Sequence, residues 1–359
     1  MSQLVIPGRG APSRRGFLAA TALGAASLAG AGLLSGCSGA SASDRTRVQL
    51  WHLFTGGDGG VFQSMLDTVG RQSPGIEIDP VVLTWGGPYY TKLAMSSVGG
   101  RSPDLAVMHA TRVVGYAPGG LLDTWDPDRL AEHGITRQMF PDLLWDKCFV
   151  GGEQFAVPLD FHAFLLFYNT DLCDRAGLLD ARGRLTGLGS PEALLDAGRA
   201  LAEVTGGQGV SYGYTGDGAQ VCRMFWGLYA QTGATCTLTP GQPVQMDREA
   251  AIRVTRLVKD MLDGEIAAPD LDYGGAIASF STGRTGITFM GNWELQSFLK
   301  AGIPFDAMPM PAVFGTPASF GDCHVFVLPR QADLDEDRRD AAYEVVAGML
   351  SSSLDWADG

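Results

Sequence analysis

Positions 48–83 read VQLWHLFTGGDGGVFQSMLDTVGRQSPGIEIDPVVL, and the order of segments in this stretch decides the fold. Val48–Trp51 is typical of a short strand, and the glycines of residues 56–60 predict a turn after it. The apolar side chains that follow recur at helical spacing: Val61, Phe62, Met65, Leu66 and Val69. Pro74-Gly75 ends this helix, and Ile76–Leu83 is predicted as a second strand.

The same alternation of strand and helix continues along the chain. A helix is predicted at Tyr90–Val98 and a strand at Pro103–Met108. Ser190 and Asp247 are typical N-cap residues, and each predicts a helix after it. The remaining predicted elements are strands at 286–289 and 324–328 and a last helix at 337–350. This alternation predicts an α/β fold with a mostly parallel sheet covered by helices.

The composition indicates a large globular protein. The chain has 359 residues, of which 45% are hydrophobic and 18% charged, so it can bury a sizeable core and is expected to form two lobes. Its net charge of −13 disfavours nucleic-acid binding, because phosphates require a basic surface. No phosphate-binding G-x-x-x-x-G-K-S/T pattern occurs, so ATP hydrolysis is expected only in a partner.

The N-terminus carries two short motifs around an apolar run. SRRGFL at 13–18 and LSGC at 34–37 together resemble a bacterial twin-arginine export signal that ends in a lipobox. We therefore expect residues 1–36 to be removed, Cys37 to be lipidated, and residues 37–46 to form a flexible tether. The protein would then be anchored by lipid to the outer face of the cytoplasmic membrane. The alternative is a membrane-spanning helix, for which this run is short and rich in glycine and alanine.

Five cysteines remain if Cys37 carries lipid: Cys148, Cys173, Cys222, Cys236 and Cys323. The number is odd, so at least one thiol stays unpaired, and Cys222 and Cys236 are the nearest pair in sequence. No C-x-x-C pattern occurs, which disfavours a structural zinc site of the ribbon or finger type.

Seven segments in a fixed order carry a family resemblance. They are VQLW with its glycine-rich turn, GGRSPDL at 99–105, YAPGGLL at 116–122, FAVPLD at 155–160, LFYNTDL at 166–172, FSTGRTGI at 280–287 and GNW at 291–293. Any one of them is only a turn pattern. Together, behind a lipoprotein-type signal, they resemble the family-1 extracellular solute-binding proteins of ABC importers, the group that contains maltose-type sugar receptors.

The resemblance implies a type II periplasmic-binding-protein-like fold, in which two α/β lobes close on a ligand cleft about a hinge. Matching segments places lobe one at 47–157 plus 313–350 and lobe two at 158–312. The crossings are then expected near Val157-Pro158 and Pro311-Ala312. Family members usually continue with further helices on lobe two, so residues 351–359 are expected to begin a missing segment, which would leave apolar surface uncovered.

A sugar cleft needs aromatic faces for stacking and fixed polar groups for the hydroxyls. Trp293 follows Asn292 after an apolar strand, at the position where the resemblance places a stacking tryptophan. The alternative for Trp293 is a core position. Trp226 is a second aromatic candidate, for which packing within an apolar helix is an equal explanation.

His162 lies just after the predicted first crossing, seven residues before Asn169. Asp160 is two residues earlier and points to the same side of an extended chain. A satisfied buried histidine is the alternative here. Other candidates lie in loops at the carboxyl ends of strands or enter the last strand: His52, Thr55, Asp58, Thr111, Arg112, Asp322 and His324. Arg112 has a surface charge as its alternative, and packing is the favoured role of Tyr89 and Tyr90.

Two other classes of protein compete with the sugar receptor. A glycoside hydrolase needs two carboxylates about 5–10 Å apart, and Glu153, Asp160 and Glu294 are available. A metal receptor is the second, because four histidines are scattered one per segment, at spacings that match no compact metal motif: His52, His109, His162 and His324. The resemblance favours a monomeric sugar receptor without catalysis, cofactor or metal. It implies two membrane permease subunits and a cytoplasmic ATPase as partners.

Overall fold

Residues 45–216, 218–239 and 241–358 are described by the structure, a computed structural model, and they belong to one compact unit. The predicted signal, Cys37 and most of the predicted tether lie outside the described residues. None of the described helices combines the length and hydrophobicity needed to cross a membrane. Within the described ranges the five cysteines, Cys222 and Cys236 included, are free thiols.

The strands are, in chain order, β1 (Thr46–His52), β2 (Ile76–Val82), β3 (Leu105–His109), β4 (Leu122–Asp123), β5 (Phe149–Val150), β6 (Glu153–Gln154), β7 (Ala156–Pro158), β8 (His162–Asn169), β9 (Val210–Ser211), β10 (Cys236–Thr237), β11 (Gln245–Met246), β12 (Ile287–Gly291), β13 (Phe305–Pro309), β14 (Gly321–Asp322) and β15 (His324–Pro329).

The α-helices are α1 (Asp58–Gln72), α2 (Gly87–Val98), α3 (Ala110–Tyr116), α4 (Pro127–Glu132), α5 (Asp142–Asp146), α6 (Thr170–Arg175), α7 (Pro191–Thr205), α8 (Gly218–Gln231), α9 (Arg248–Met261), α10 (Tyr273–Ser281), α11 (Leu295–Ala301), α12 (Glu336–Ser351) and α13 (Ser353–Asp358). Short 3₁₀ turns occur at Arg137–Met139 and Asn292–Glu294.

The first sheet has the order β2-β1-β3-β15-β4, and β7 also pairs with β15. β1 runs parallel to β2 and β3, whereas β15 is antiparallel to β3, β4 and β7. The predicted mostly parallel sheet is therefore correct only for β2-β1-β3. Parallel pairing needs a crossover connection on the sheet. Between β7 and β15 the chain forms the second sheet instead of a helical crossover on the first, and β15 then pairs antiparallel with β7.

The second sheet has the order β13-β8-β12-β9, and β14 pairs with the start of β8. β8 is antiparallel to β12, β13 and β14, and only β9 and β12 run parallel. This sheet is thus mostly antiparallel, which the sequence pattern did not indicate. β12 is buried along its length, and β8 is buried except at the half-buried Ala163 and Leu165, so both read as largely apolar runs.

Each sheet has its own hydrophobic core. The core of the first sheet draws on residues 48–159 and 323–350, and the main core of the second draws on residues 164–313. Between β7 and β8 the chain passes from the first core, which includes Leu159, to the second core, which begins at Phe164. Val313 still packs in the second core, and Cys323 packs in the first. The crossings near Val157-Pro158 and Pro311-Ala312 stay predictions.

Two helix starts follow directly from the sequence. The Ser190 hydroxyl accepts a hydrogen bond from the Ala193 amide at 3.1 Å, and the Asp247 carboxylate accepts one from the Ala250 amide at 3.0 Å. Both are N-caps that satisfy amides at the beginning of α7 and α9. Gly206 ends α7 in the left-handed conformation, as the Gly206-Gly207 pair predicts.

Candidate functional site

A cleft of about 1400 Å³ lies between the two sheets. The loops after β1 and β2 and the ends of β3 and β15 supply its first wall. The second wall comes from β8, α8, α10 and the turn after β12. The loops after β1 and β2 are where an open α/β sheet places its ligands, because the carboxyl ends of neighbouring parallel strands meet there.

One tryptophan from each wall faces the cleft. Trp85 follows β2 and Trp293 follows β12, and both side chains are half-buried. The Arg223 guanidinium lies 5.3 Å from the Trp85 ring centroid and 4.5 Å from that of Trp293. Arg223 is itself buried, and its guanidinium donates to the side-chain oxygen Oε1 of Gln220 at 2.8 Å. This places a fixed cation next to two indole faces.

A hydrogen-bond chain fixes the Trp293 ring. Its Nε1–H donates to the Tyr273 hydroxyl at 2.7 Å, and that hydroxyl donates to Glu294 Oε1 at 2.5 Å. Burial and the neighbouring Glu294 carboxylate raise the pKa of Tyr273, which keeps the phenol protonated and able to donate. Gly291 leaves room for the indole, because a Cβ there would lie 1.9 Å from a Trp293 ring carbon.

Two carboxylates face the same point at the rim of the β1–α1 loop. A Cβ at Gly56 would lie 3.4 Å from Asp58 Oδ1 and 3.5 Å from Glu294 Oε1. Asp58 Oδ1 is buried and has no hydrogen-bond partner. Burial raises the pKa of Asp58 to about 6. A ligand hydroxyl is the kind of group that would pair with these oxygens.

Three buried histidines form the floor of the cleft. His109 ends β3, His324 begins β15 and His162 begins β8, and each is less than 8% exposed. The His162 and His324 ring centroids are 4.4 Å apart, and His109 lies 4.6 Å from His324 and 5.3 Å from His162. The pairing of β3 with β15 sets His109 opposite His324.

Asp160 holds two of these imidazoles from behind. Its carboxylate lies 2.7 Å from His324 Nδ1 and 3.4 Å from His162 Nδ1, and it accepts the Trp356 indole N–H at 3.2 Å. Burial alone would raise the pKa of Asp160, but the His324 charge and the imidazole hydrogen bonds hold it well below its usual range. Burial lowers the pKa of His109, whereas Asp160 raises that of His324 in spite of burial.

Comparison with known proteins identifies the family of this chain. The sequence model of the family described as "Bacterial extracellular solute-binding protein" matches residues 56–333. The chain belongs to this family. The family resemblance stated from the seven segments is thereby confirmed.

Solved structures agree with a two-lobed periplasmic-binding-protein fold for this solute-binding protein. The GacH receptor of Streptomyces glaucescens, solved unliganded and with acarbose, has a TM-score of 0.71 at 20% identity over 88% of this chain and 78% of that one. MalE from Bdellovibrio bacteriovorus, bound to maltotriose, scores 0.69 at 17% identity over 87% and 79%. The cyclic alpha-maltosyl-1,6-maltose binding protein of Arthrobacter globiformis scores 0.63 at 20% over 85% and 75%.

The structure of this solute-binding protein brings five of the predicted site residues into the cleft lining: Thr55, Asp58, His162, Trp293 and His324. Asp160 lies behind two of the histidines, where its side chain is 7% exposed. Its role in the geometry is to orient imidazoles, because its oxygens are occupied by His324, His162 and Trp356.

The other predicted residues lie outside the cleft lining. The Trp226 ring packs on Phe225 and Tyr229, with centroids 5.1 and 5.7 Å away. The Thr111 hydroxyl donates to Asp322 at 2.7 Å, so these two candidates pair with each other.

Arg112, His52 and Asn292 also have contacts of their own away from the lining. The Arg112 guanidinium lies over the Tyr90 ring at 4.9 Å. His52 is buried against Phe62, with ring centroids 4.8 Å apart. Asn292 Oδ1 accepts the Ala163 amide at 3.0 Å. Tyr89 and Tyr90 are buried, as the packing alternative predicts.

Sequence reasoning missed several residues of the lining. Trp85 follows β2, so the rule that predicted loops after strands would also have indicated it. Arg223 and Tyr273 lie in helices without a recognisable motif, and their positions depend on how α8 and α10 pack. His109 was weighed only as one of four scattered histidines, because β3–β15 pairing is not visible in the sequence.

Proposed function

We propose that this solute-binding protein captures a sugar in the cleft and delivers it to an ABC importer. The observation that carries the proposal is the pair Trp85 and Trp293, one from each wall. A pyranose ring offers apolar C–H groups to an aromatic face and hydroxyls to polar groups at its edge. Asp58, Glu294 and Arg223 supply polar groups of both charges beside the indoles.

The relatives and the size of the cleft support an oligosaccharide as ligand. Of the three similar proteins, GacH was solved with acarbose and MalE with maltotriose. The third is a cyclic alpha-maltosyl-1,6-maltose binding protein. The cleft of about 1400 Å³ exceeds the roughly 300–1,000 Å³ of pockets for drug-sized ligands. We infer that more than one sugar ring is bound, with closure of the lobes around it.

Delivery implies partners at the membrane. In this proposal the protein is a monomer that carries lipid on Cys37 at the outer face of the cytoplasmic membrane. Its two lobes dock on two permease subunits, which a cytoplasmic ATPase drives. Cys37→Ala is expected to release the protein from the membrane fraction, because one covalent lipid anchor is removed. A variant that stays in the membrane fraction after an alkaline wash would contradict the anchor.

A glycoside hydrolase is the competing function. It would need two of the predicted carboxylates, Glu153, Asp160 and Glu294, on either side of the bond to be cleaved. Glu153 is exposed in the β5–β6 hairpin, and the Asp160 oxygens are occupied by histidines. Glu294 lies near Asp58 instead. We propose binding without catalysis, since the family is one of binding proteins. A search for shortened sugars after long incubation tests this directly.

The experiment is a thermal-shift screen of the purified full-length chain against mono-, di- and maltooligosaccharides. A ligand that binds only the folded state stabilises it by about 2.7 kcal/mol at 100 times its dissociation constant. We expect a concentration-dependent rise in melting temperature with at least one oligosaccharide and no new product in the same sample. Appearance of product would favour the hydrolase, and no shift with any sugar would contradict the receptor.

A further inference from the structure

The three histidines of the cleft floor have the geometry of a ligand set. Each of His109, His162 and His324 offers one nitrogen, and these three atoms all lie within 4.8 Å of one another. The residues come from three strands, β3, β8 and β15, so the cluster depends on the tertiary fold. All three side chains also line the cleft.

The second nitrogen of each ring is already occupied. Nδ1 of His324 and Nδ1 of His162 face Asp160, and Nδ1 of His109 lies 2.6 Å from the Tyr90 hydroxyl. His162 Nε2 is buried without a hydrogen-bond partner. A buried imidazole nitrogen without a partner is unfavourable unless something binds it.

We propose that His109, His162 and His324 bind a divalent transition-metal ion through Nε2, with a fourth position open to the cleft. Three histidines with one open position is a common donor set for zinc, and imidazole also suits copper and nickel. The site goes beyond the proposed sugar binding and does not depend on it.

The outer contacts match what such a site requires. A metal-bound histidine usually donates its other N–H to a carboxylate or another acceptor, which fixes the ring and its tautomer. Asp160 is the acceptor for Nδ1–H of His324 and of His162. The Tyr90 hydroxyl oxygen lies within hydrogen-bond distance of His109 Nδ1. The Asp160 carboxylate also offsets part of the charge of a dication.

The distances require a modest contraction. Zinc–nitrogen bonds of about 2.0–2.1 Å in a tetrahedral site place ligand nitrogens about 3.4 Å apart. His109 and His324 belong to the first sheet and His162 to the second. Closure of the lobes together with small ring rotations would therefore bring the nitrogens together.

The test uses the full-length chain without a polyhistidine tag, stripped with chelator and titrated with Zn²⁺ by calorimetry. We expect one ion per chain, with a dissociation constant of roughly 1 µM or tighter. Mg²⁺ is the matched negative probe, because it prefers oxygen ligands. His109→Gln, His162→Gln and His324→Gln should each weaken zinc binding about 100-fold or more, and Asp160→Asn about 10- to 100-fold.

The chain offers two matched controls, since His52 and His133 are its other histidines. His52→Gln and His133→Gln should bind zinc like the parent. Unchanged binding in all three floor variants, or no zinc binding by a folded parent, overturns the proposal. Sugar titration of the stripped parent is run separately, so a failure of the metal site and a failure of sugar binding give different results.

X-ray absorption on the zinc-loaded parent keeps the test decisive if a floor variant fails to fold. Nitrogen or oxygen neighbours at about 2.0–2.1 Å, with the pattern of several imidazoles, support the site. A shell of sulfur at about 2.3 Å would assign the ion to cysteines and overturn it.

Discussion

Trp293 shows how one backbone position makes room for an indole in the cleft lining. Gly291 leaves the space that the indole fills, and Tyr273 and Glu294 fix the ring by hydrogen bonds. The family motif predicted Trp293 as a cleft residue, and its side chain lies in the cleft lining. The sequence did not indicate Tyr273 or Arg223, because they lie in two separate helices, α10 and α8, whose packing brings them to the cleft.

Trp85 lies across the cleft from Trp293, and we expect its indole to contact the sugar as well. Trp85→Ala should weaken sugar binding by about 1–3 kcal/mol, because a large aromatic contact is lost. Calorimetry on this variant measures the loss. Trp145→Ala, a substitution of a buried tryptophan in the first lobe and outside the lining, is the control and should alter stability instead. Parent affinity in Trp85→Ala would remove Trp85 from the site.

His52 makes stability depend on pH. Burial lowers its pKa to about 4, whereas the unfolded chain binds the proton near pH 6.5. The unfolded state therefore holds more protons between these values, and the free energy of unfolding falls as pH falls through this window, by up to about 3 kcal/mol.

The variant His52→Phe keeps an aromatic ring against Phe62 and removes the titration. Urea unfolding at pH 7 and at about pH 4.5 should show a smaller loss of stability in this variant than in the parent. The loss should not vanish, because burial also lowers the pKa of His109. Equal losses in the two proteins would show that His52 does not titrate in this window.

At the scale of elements, α7 and β9 approach each other backbone to backbone. A Cβ at Gly209 would lie 1.9 Å from the Gly198 carbonyl oxygen, and neither backbone can yield easily. Gly209→Ala is expected to destabilise the fold by about 1–3 kcal/mol or more. At Gly207 a Cβ meets nothing within 4 Å, so Gly207→Ala is the matched control. Thermal unfolding compares them, and equal melting temperatures would contradict this packing.

The elements also show what the sequence can and cannot predict. Helix starts and ends were predictable at Ser190 and Gly206, because capping depends on neighbouring residues alone. The strand β8 was not recognised as the centre of an antiparallel sheet, since its partners β12, β13 and β14 are more than a hundred residues away in sequence. Pairing between distant strands leaves little local signal.

At the scale of the whole molecule, the two-lobed architecture followed from the order of the seven segments. The lobe boundaries that the same order predicts stay a prediction. The chain leaves the first core after Leu159 and returns to it at Cys323, after β14 has paired with β8. The histidine cluster shows the same limit. One histidine per segment carried no metal motif, and only the meeting of β3, β8 and β15 brings them together.

The central claim is that the cleft between the lobes binds a sugar on Trp293. The most direct measurement is calorimetric titration of the parent, Trp293→Ala and Trp226→Ala with the sugar found in the thermal screen, together with their melting temperatures without ligand. We predict single-site binding that Trp293→Ala weakens by about 2–4 kcal/mol, roughly 30- to 1,000-fold, with little change in melting temperature. Trp226→Ala should keep the affinity and melt earlier. Parent affinity in Trp293→Ala would contradict the account.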